Sequence, residues 1–494
     1  MINFGFLLVD FNSKCYYIVY IGEIGGFTMA DYDILIVGAS TTGCWFAEKM
    51  ASNGFNVLVI EKQLPENVSR EYDIFHMSEP EMNQFGLPVP EIGSPLREFN
   101  FSGSPMCSPY GNYRKKAGNA KIIGLHKHDY IMFMADNAKQ KGAEFIYGAP
   151  FVDLIFDDKG AVIGAKYETA DGIKEAYAKI VADCSGIPSV ARRKLPDSSY
   201  VENFKLNPVD ILYVILYYFE YNDKSVNPRD IDAFFMQYKS WCAPAGEGYD
   251  GLFGIGACYS YEYAEEVYNT QFMKNVKFPE HTVKKVEKGM TPYHRSVYSF
   301  VEDGFIAMGD AAFLTKPTCG EGCTSSLVQG EIAAEVITDL LNKGESLTRK
   351  NMWIINKRYM VAQGKEFDSM RPLLMGLIKM SIDEAEYLFE NDVIFSNKIL
   401  GGMDDGLNLT TSDIVDMVKG IVKGVAKKKI STRSVAGLLK GLKQSDAVGK
   451  LYDAYPESVS GYLEWKEKAD ALWDKIGNLS STCDPAIMKK LGIK

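Results

Sequence analysis

An uninterrupted apolar run, Ile34-Leu35-Ile36-Val37, ends abruptly in Gly38-Ala39-Ser40-Thr41-Thr42-Gly43. A run without polar alternation predicts a parallel strand buried on both faces. Gly38 permits a tight turn, and Thr41 to Asn53 reads as a helix with Cys44, Phe46, Ala47 and Met50 on its apolar side. A second apolar run, Val57 to Ile60, ends in Glu61. This pattern demands a βαβ unit and thus an α/β domain. A helix that opens directly from a strand aims unpaired N–H groups and the positive end of its dipole at one point, which suits a pyrophosphate. Glu61 stands at roughly the twenty-residue offset of a dinucleotide fingerprint, where a carboxylate accepts bonds from a ribose diol. Ser40 takes the place of the second fingerprint glycine; it is small enough for backbone to approach phosphate. Gly38, Ser40, Thr42, Gly43, Glu61 and Lys62 are the first group of candidate cofactor contacts.

A second segment far downstream completes the site. Phe305-Ile306-Ala307-Met308 is another buried strand, followed by Gly309-Asp310-Ala311-Ala312, then Pro317 and Gly320-Glu321-Gly322. An acid at a strand end holds a polyol hydroxyl, and small alanines leave room for it. Cys323 to Leu341 reads as a long helix, whose glycine-flanked start suits the negative charge of a reduced flavin ring. Between the two segments, Ile180-Val181-Ala182-Asp183-Cys184-Ser185-Gly186 reads as strand and turn, with helix again from Ser189 through Arg192-Arg193. One segment suits the adenosine half of a dinucleotide and the other a flavin half, so the implied cofactor is FAD. Asp183, Gly186, Gly309, Asp310, Pro317, Gly320, Gly322 and Cys323 join the candidate contacts.

In this order and spacing, the three segments resemble the flavoprotein superfamily with the p-hydroxybenzoate hydroxylase fold. Within it, Gly-Asp-Ala-Ala, a proline and Gly-Glu-Gly are most similar to the geranylgeranyl reductase family, over roughly residues 30–345. The resemblance implies a Rossmann-like FAD domain, an interleaved, mainly antiparallel β substrate domain, and reduction of a carbon–carbon double bond in an apolar or isoprenoid-like substrate. It implies an arginine near the cofactor where this chain has Lys127. It also implies a cysteine-containing segment where this chain has Tyr72-Asp73-Ile74-Phe75-His76-Met77-Ser78-Glu79-Pro80. A hydroxylating monooxygenase and an electron-transfer flavoprotein feeding quinone are the alternatives on the same fold.

Length bounds the architecture: 494 residues exceed one ordinary core. Residues 29–200 and 290–345 are assigned to the FAD domain, with part of 90–125 facing the substrate domain. Residues 201–289 are assigned to the substrate sheet and 346–494 to a C-terminal helical region. Met1–Thr28 is expected to be a leader that the fold does not need, with Met29-Ala30-Asp31-Tyr32-Asp33 as the working start. A net charge of −10 argues against nucleic-acid binding. Nine cysteines without framework spacing fit a reducing cytoplasm, and five unclustered histidines imply no metal.

Asp210 to Phe219 reads as a long strand, with Gly251–Gly256 and Ser296–Phe300 as partners. Its aromatics Tyr213, Tyr217 and Phe219, with Phe253, either line an apolar pocket or form core. Residues 241–249 read as a loop covering the flavin. Cys319 and Cys323 flank the Gly-Glu-Gly loop; Cys323, at a helix start, is expected to have a lowered thiol pKa, and the pair either exchanges electrons or fills space. His294 and Tyr293 are the candidate proton donors. Asp413–Ala426 is an amphipathic helix with Ile414, Met417, Val418, Ile421 and Val425 on one stripe, and basic residues follow it. Residues 413–443 are read as a solvated face, as a peripheral contact with anionic lipid, or as a dock for an acidic electron carrier. The donor is a ferredoxin-like carrier or NAD(P)H.

Overall fold

A computed structural model describes residues 6–11, 14–19, 30–102, 105–117, 121–227, 231–236, 238–246, 248–318, 320–401, 410–477 and 483–493. Strand Tyr32–Val37 lies between Val57–Glu61 and Gly172–Asp183, with Glu144–Tyr147 and Phe305–Ala307 on the outer flanks, all parallel. The Gly172–Asp183 strand is long enough to serve two sheets' worth of pairing. Its second half is buried in the parallel layer, while its exposed first half joins Val162–Thr169 and Phe151–Phe156 in an antiparallel extension. Helix Thr41–Ser52 packs against Lys127–Gln140 and Cys323–Asn342. Gly330 makes the last contact close, because a Cβ there would lie 3.0 Å from the Trp45 ring.

The second layer is a seven-stranded sheet in the order His281–Pro292, Ile211–Tyr221, Gly251–Ala257, Lys239–Ala243, Asp232–Phe235, Met106–Cys107 and Arg114–Lys115. The Ile211–Tyr221 strand pairs with Gly251–Ala257, as the sequence predicts. Its other partner is His281–Pro292 and not residues 296–300. The polar, lysine-rich strand that takes that place has little apolar content to betray it. Trp241 to Ala243, expected in a covering loop, are strand. A small third sheet, Ile74–Ser78, Lys121–His126 and Arg97–Ser102, lies between the layers in sequence.

Strand alternation gives the large sheet two different faces. Leu212, Val214, Leu216 and Tyr218 belong to the core shared with the parallel sheet. Ile215, Tyr217 and Phe219 pack in a separate cluster with Phe253, Tyr268 and Phe272 under helix Tyr261–Val267. Tyr217, Phe219 and Phe253 are therefore core and line no pocket beside the flavin, and Tyr213 packs edge-on against Tyr261. Parity decides this: the even-numbered apolar and aromatic residues of this strand belong to the core shared with the parallel sheet, and Ile215, Tyr217 and Phe219 to the other cluster.

The C-terminal helices buttress both layers. Lys365–Leu377 and Thr432–Asp453 approach closely because Gly376 and Gly441 carry no side chain; a Cβ on Gly376 would lie 3.0 Å from the Gly437 carbonyl oxygen, and one on Gly441 2.8 Å from that of Pro372. Tyr452 donates to Asp368 at 2.6 Å and Tyr455 to the Tyr298 carbonyl at 2.6 Å. Strands Phe6–Phe11 and Lys14–Val19 pair only with each other among the described residues.

Candidate active site

Three turns leave the parallel sheet at one level. Register pairs Asp183 with Val37 on one side and with Ala307 on the other. Residues 38–43, 183–186 and 308–312 therefore meet at the carboxyl ends of the strands, where open parallel sheets bind ligands. Gly38 has φ +107°, and a Cβ on Gly43 would lie 2.2 Å from the Gly38 carbonyl, so both positions require glycine. Ser40 caps the helix, its Oγ accepting the Gly43 N–H at 3.1 Å. The residue that departs from the fingerprint thus has a structural task. Glu61 is buried and accepts the Ala39 and Gln63 N–H groups at 2.9 Å each. A carboxylate offers about four lone-pair positions, which leaves two for a ribose diol. Lys62 beside it is exposed.

The last segment touches the first. A Cβ on Gly309, at φ +60°, would lie 3.0 Å from Thr42 Oγ1 and 3.1 Å from Ser326 Oγ. Gln329 holds this strand end from the long helix: its Oε1 accepts the Gly309 N–H at 3.0 Å and its Nε2 donates to the Ala307 carbonyl at 2.9 Å. Asp310 accepts from Thr315 Oγ1 at 3.4 Å, and a Cβ on Gly322 would lie 2.7 Å from its Oδ1. Burial raises the Asp310 pKa and lowers that of Lys127, each effect opposed by the other group's charge. The two lie near each other, and the Lys127 ammonium sits 5.8 Å over the Tyr72 ring. Helix Cys323–Asn342 starts at Gly322 without a side-chain cap, so its first amides are offered beside Asp310.

The middle turn holds itself together. Asp183 is fully buried and accepts the N–H groups of Ser185, Ala191 and Arg192 at 3.0, 3.1 and 2.7 Å. Its oxygens are taken up in shaping the turn, and Gly186 at φ +75° completes it. The expected helix is a single turn, Arg192–Lys194. Arg192, buried, donates through Nε to the Ala311 carbonyl at 2.7 Å and stacks 4.7 Å over Phe313. Arg192 and Gln329 are fixtures that sequence reasoning missed. Gln329 belongs to no motif, and although Arg192 closes the middle segment, the contacts of a buried arginine have no local signature.

The candidate catalytic residues separate. Cys323 faces Met77 Sδ at 3.7 Å, and burial raises its thiol pKa to about 12, correcting the expected fall: desolvation outweighs the helix start. Cys319 lies outside the described residues. His294 is wedged between Phe204 and Phe313, with its Nδ1 2.9 Å from the Arg295 carbonyl; burial lowers its pKa to about 3. It is a neutral packed ring. Tyr293 follows strand His281–Pro292 of the seven-stranded sheet, its ring 5.7 Å from the Lys239 ammonium. On the same side of the sheet, Glu287 accepts from Tyr218 OH and the Asp73 N–H at 3.2 Å each and pairs with Lys285 at 2.6 Å. Trp241 lies flat over Gly254, where a Cβ would be 2.0 Å from the indole.

These residues fit FAD: glycine turns and the start of helix Thr41–Ser52 for phosphate, Glu61 for a ribose, Asp310 for the ribityl chain, and the uncapped start of helix Cys323–Asn342 for the flavin ring. The fold is that of the flavin-dependent hydroxylases and reductases. Among solved structures, a geranylgeranyl bacteriochlorophyll reductase-like protein from Thermoplasma acidophilum matches with TM-score 0.64 and 20% identity, covering 84% of this chain and 99% of that one. A p-nitrophenol 4-monooxygenase from Pseudomonas putida matches with TM-score 0.55 and 14% identity over 78% and 98% of the two chains. No family profile matches the chain. A digeranylgeranylglycerophospholipid reductase from Sulfolobus acidocaldarius is 23% identical over 89% of this chain and 96% of its own length. One from Methanosarcina acetivorans is 24% identical over 82% and 99%. The chain is similar to these two reductases over most of their length and shares its fold with the two solved structures.

Proposed function

We propose that the chain is an FAD-dependent reductase that saturates a carbon–carbon double bond of an isoprenoid-bearing lipid. The observation that supports this best is the meeting of all three turns at one sheet edge, facing an apolar sheet face, in a homologue of lipid reductases. When bound and reduced by the external donor, FAD would supply a hydride for one carbon of the double bond, leaving the other carbon to take a proton. The chain's part is to hold and shield. The glycine turns bind the pyrophosphate, Glu61 and Asp310 anchor the two polyol ends, and Lys127 balances Asp310. Leu216, Val214 and Trp241 present an apolar surface that excludes water from the reacting bond. Tyr293 is the proton donor to the second carbon, in preference to the neutral His294.

The C-terminal helices are the proposed approach to lipid. Val415, Val418 and Val422 form an exposed stripe on helix Thr411–Ala426, at 44–61% exposure. Residues 411–443 carry eight lysines and arginines against two aspartates. That combination suits an anionic bilayer surface. Among the described residues no helix is long and apolar enough to cross a membrane. The electron donor is a ferredoxin-like carrier or NAD(P)H.

The test is anaerobic incubation of the dithionite-reduced, FAD-loaded chain with a geranylgeranyl-bearing phospholipid, read by mass spectrometry. The expected product gains two hydrogens per reduced bond. A product that forms only in air and gains one oxygen atom would overturn the reading in favour of a hydroxylase.

A further inference from the structure

One cation of the substrate sheet crosses to the flavin loop. Lys239 stands opposite Gly256 on the neighbouring strand, so no side chain at that position crowds its stem. Its ammonium donates to the carbonyl oxygens of Pro317, at 3.1 Å, and Thr318. A second bond from the same sheet, Thr291 Oγ1 to the Gly320 carbonyl at 3.0 Å, holds the other end of the loop. Removing an ammonium from water is costly unless it is hydrogen-bonded, and ordering a four-carbon stem loses rotamer freedom. Two converging carbonyls offset both. Proline has a fixed φ, so gripping its carbonyl sets the direction of the loop that follows. That loop runs straight into the uncapped start of helix Cys323–Asn342.

We propose that Lys239 is a positioning residue for the flavin, which it serves by tying the Pro317–Gly322 loop to the substrate sheet. The inference rests on the FAD reading above and adds to it a residue outside every recognised motif. The tie has two effects. It aims the first amides of the long helix at the ring, and it brings a positive charge to the same edge. Both favour the negative charge that the ring carries once it has accepted electrons. Because the same strand carries Trp241, the loop and the surface that receives substrate are fixed relative to each other.

The test is an anaerobic redox titration of the FAD-loaded full-length chain against an indicator dye, comparing wild type with Lys239→Met and Lys239→Arg. In Lys239→Met, the oxidised-to-reduced ratio at a fixed potential is expected to rise about tenfold, or ~30 mV for a two-electron couple. Lys239→Arg recovers most of the shift. A loss of general structural order would lower flavin content without this charge-specific rescue. Should Lys239→Met not retain flavin, Lys239→Gln, which keeps a donor and loses the charge, is titrated with the same two outcomes. Loaded variants with the wild-type potential overturn the proposal. A wild-type chain that takes up no FAD overturns the parent reading and this one together, whereas an FAD-binding wild type with unshifted variants overturns this one alone.

Discussion

The proposed flavin cradle and the proposed substrate sheet solve the same problem, placing groups around a ligand, by opposite means. In the cradle, backbone does the work. Gly38, Gly43 and Gly309 are positions where the chain passes too close to itself for a side chain, and Asp183 and Glu61 have their oxygens engaged by main-chain amides. In the substrate sheet, alternation does the work. Leu216 packs in the core shared with the parallel sheet and Tyr217 in the cluster on the opposite face, for no reason but parity. Backbone-built sites tolerate almost no substitution. Alternation-built sites change their contents easily while the frame persists, so relatives that share a fold can differ in chemistry.

The largest effect should come from breaking the cradle. Gly43→Val drives side-chain atoms into the Gly38 carbonyl and should cost about 3 kcal/mol or more, measured by urea unfolding, with loss of bound flavin. Arg192→Met leaves the Ala311 and Phe204 carbonyls without their buried donor. About 3 kcal/mol is expected there, with weakened FAD binding by fluorescence titration. The substrate sheet should answer differently. Gly254→Ala displaces the Trp241 indole and should raise the KM for lipid about tenfold, ~1.4 kcal/mol of uniform binding, with flavin content unchanged. If Gly254→Ala instead loses flavin, the two regions are not separable.

The smallest effect is electrostatic and concerns His294. Its folded pKa, about 3, lies below the ordinary value of 6.5. The unfolded chain therefore binds the extra proton first as pH falls. Stability is retained above pH 6.5 and lost progressively as pH falls toward 3. His294→Phe should reduce that acid-side loss in chemical denaturation and leave no missing limb in the pH–rate profile. A lost limb would return His294 to the role of proton donor.

The contrast also explains what could be read in advance. Gly38, Glu61, Gly309 and Asp310 were legible because close backbone approach and strand-end acids leave fixed spacing in the sequence. Lys127 was legible only through resemblance. Gln329, Arg192 and Lys239 were not, since each acts across more than seventy residues or from an unremarkable helix or strand position. The partner strand His281–Pro292 was missed because lysines and a glutamate break up any apolar run along it. The Cys323 thiol was misjudged because its position in sequence revealed the helix start and not the burial that outweighs it.

Flavin occupancy of Gly309→Val tests the central claim most directly. Gly309 is where the first and last segments touch, and its φ of +60° is unfavourable for valine. After reconstitution with excess FAD and desalting, wild type should retain about one flavin per chain and Gly309→Val almost none, with matching far-ultraviolet circular dichroism. Full occupancy in the variant would mean that the flavin is held somewhere other than at the meeting of the three turns.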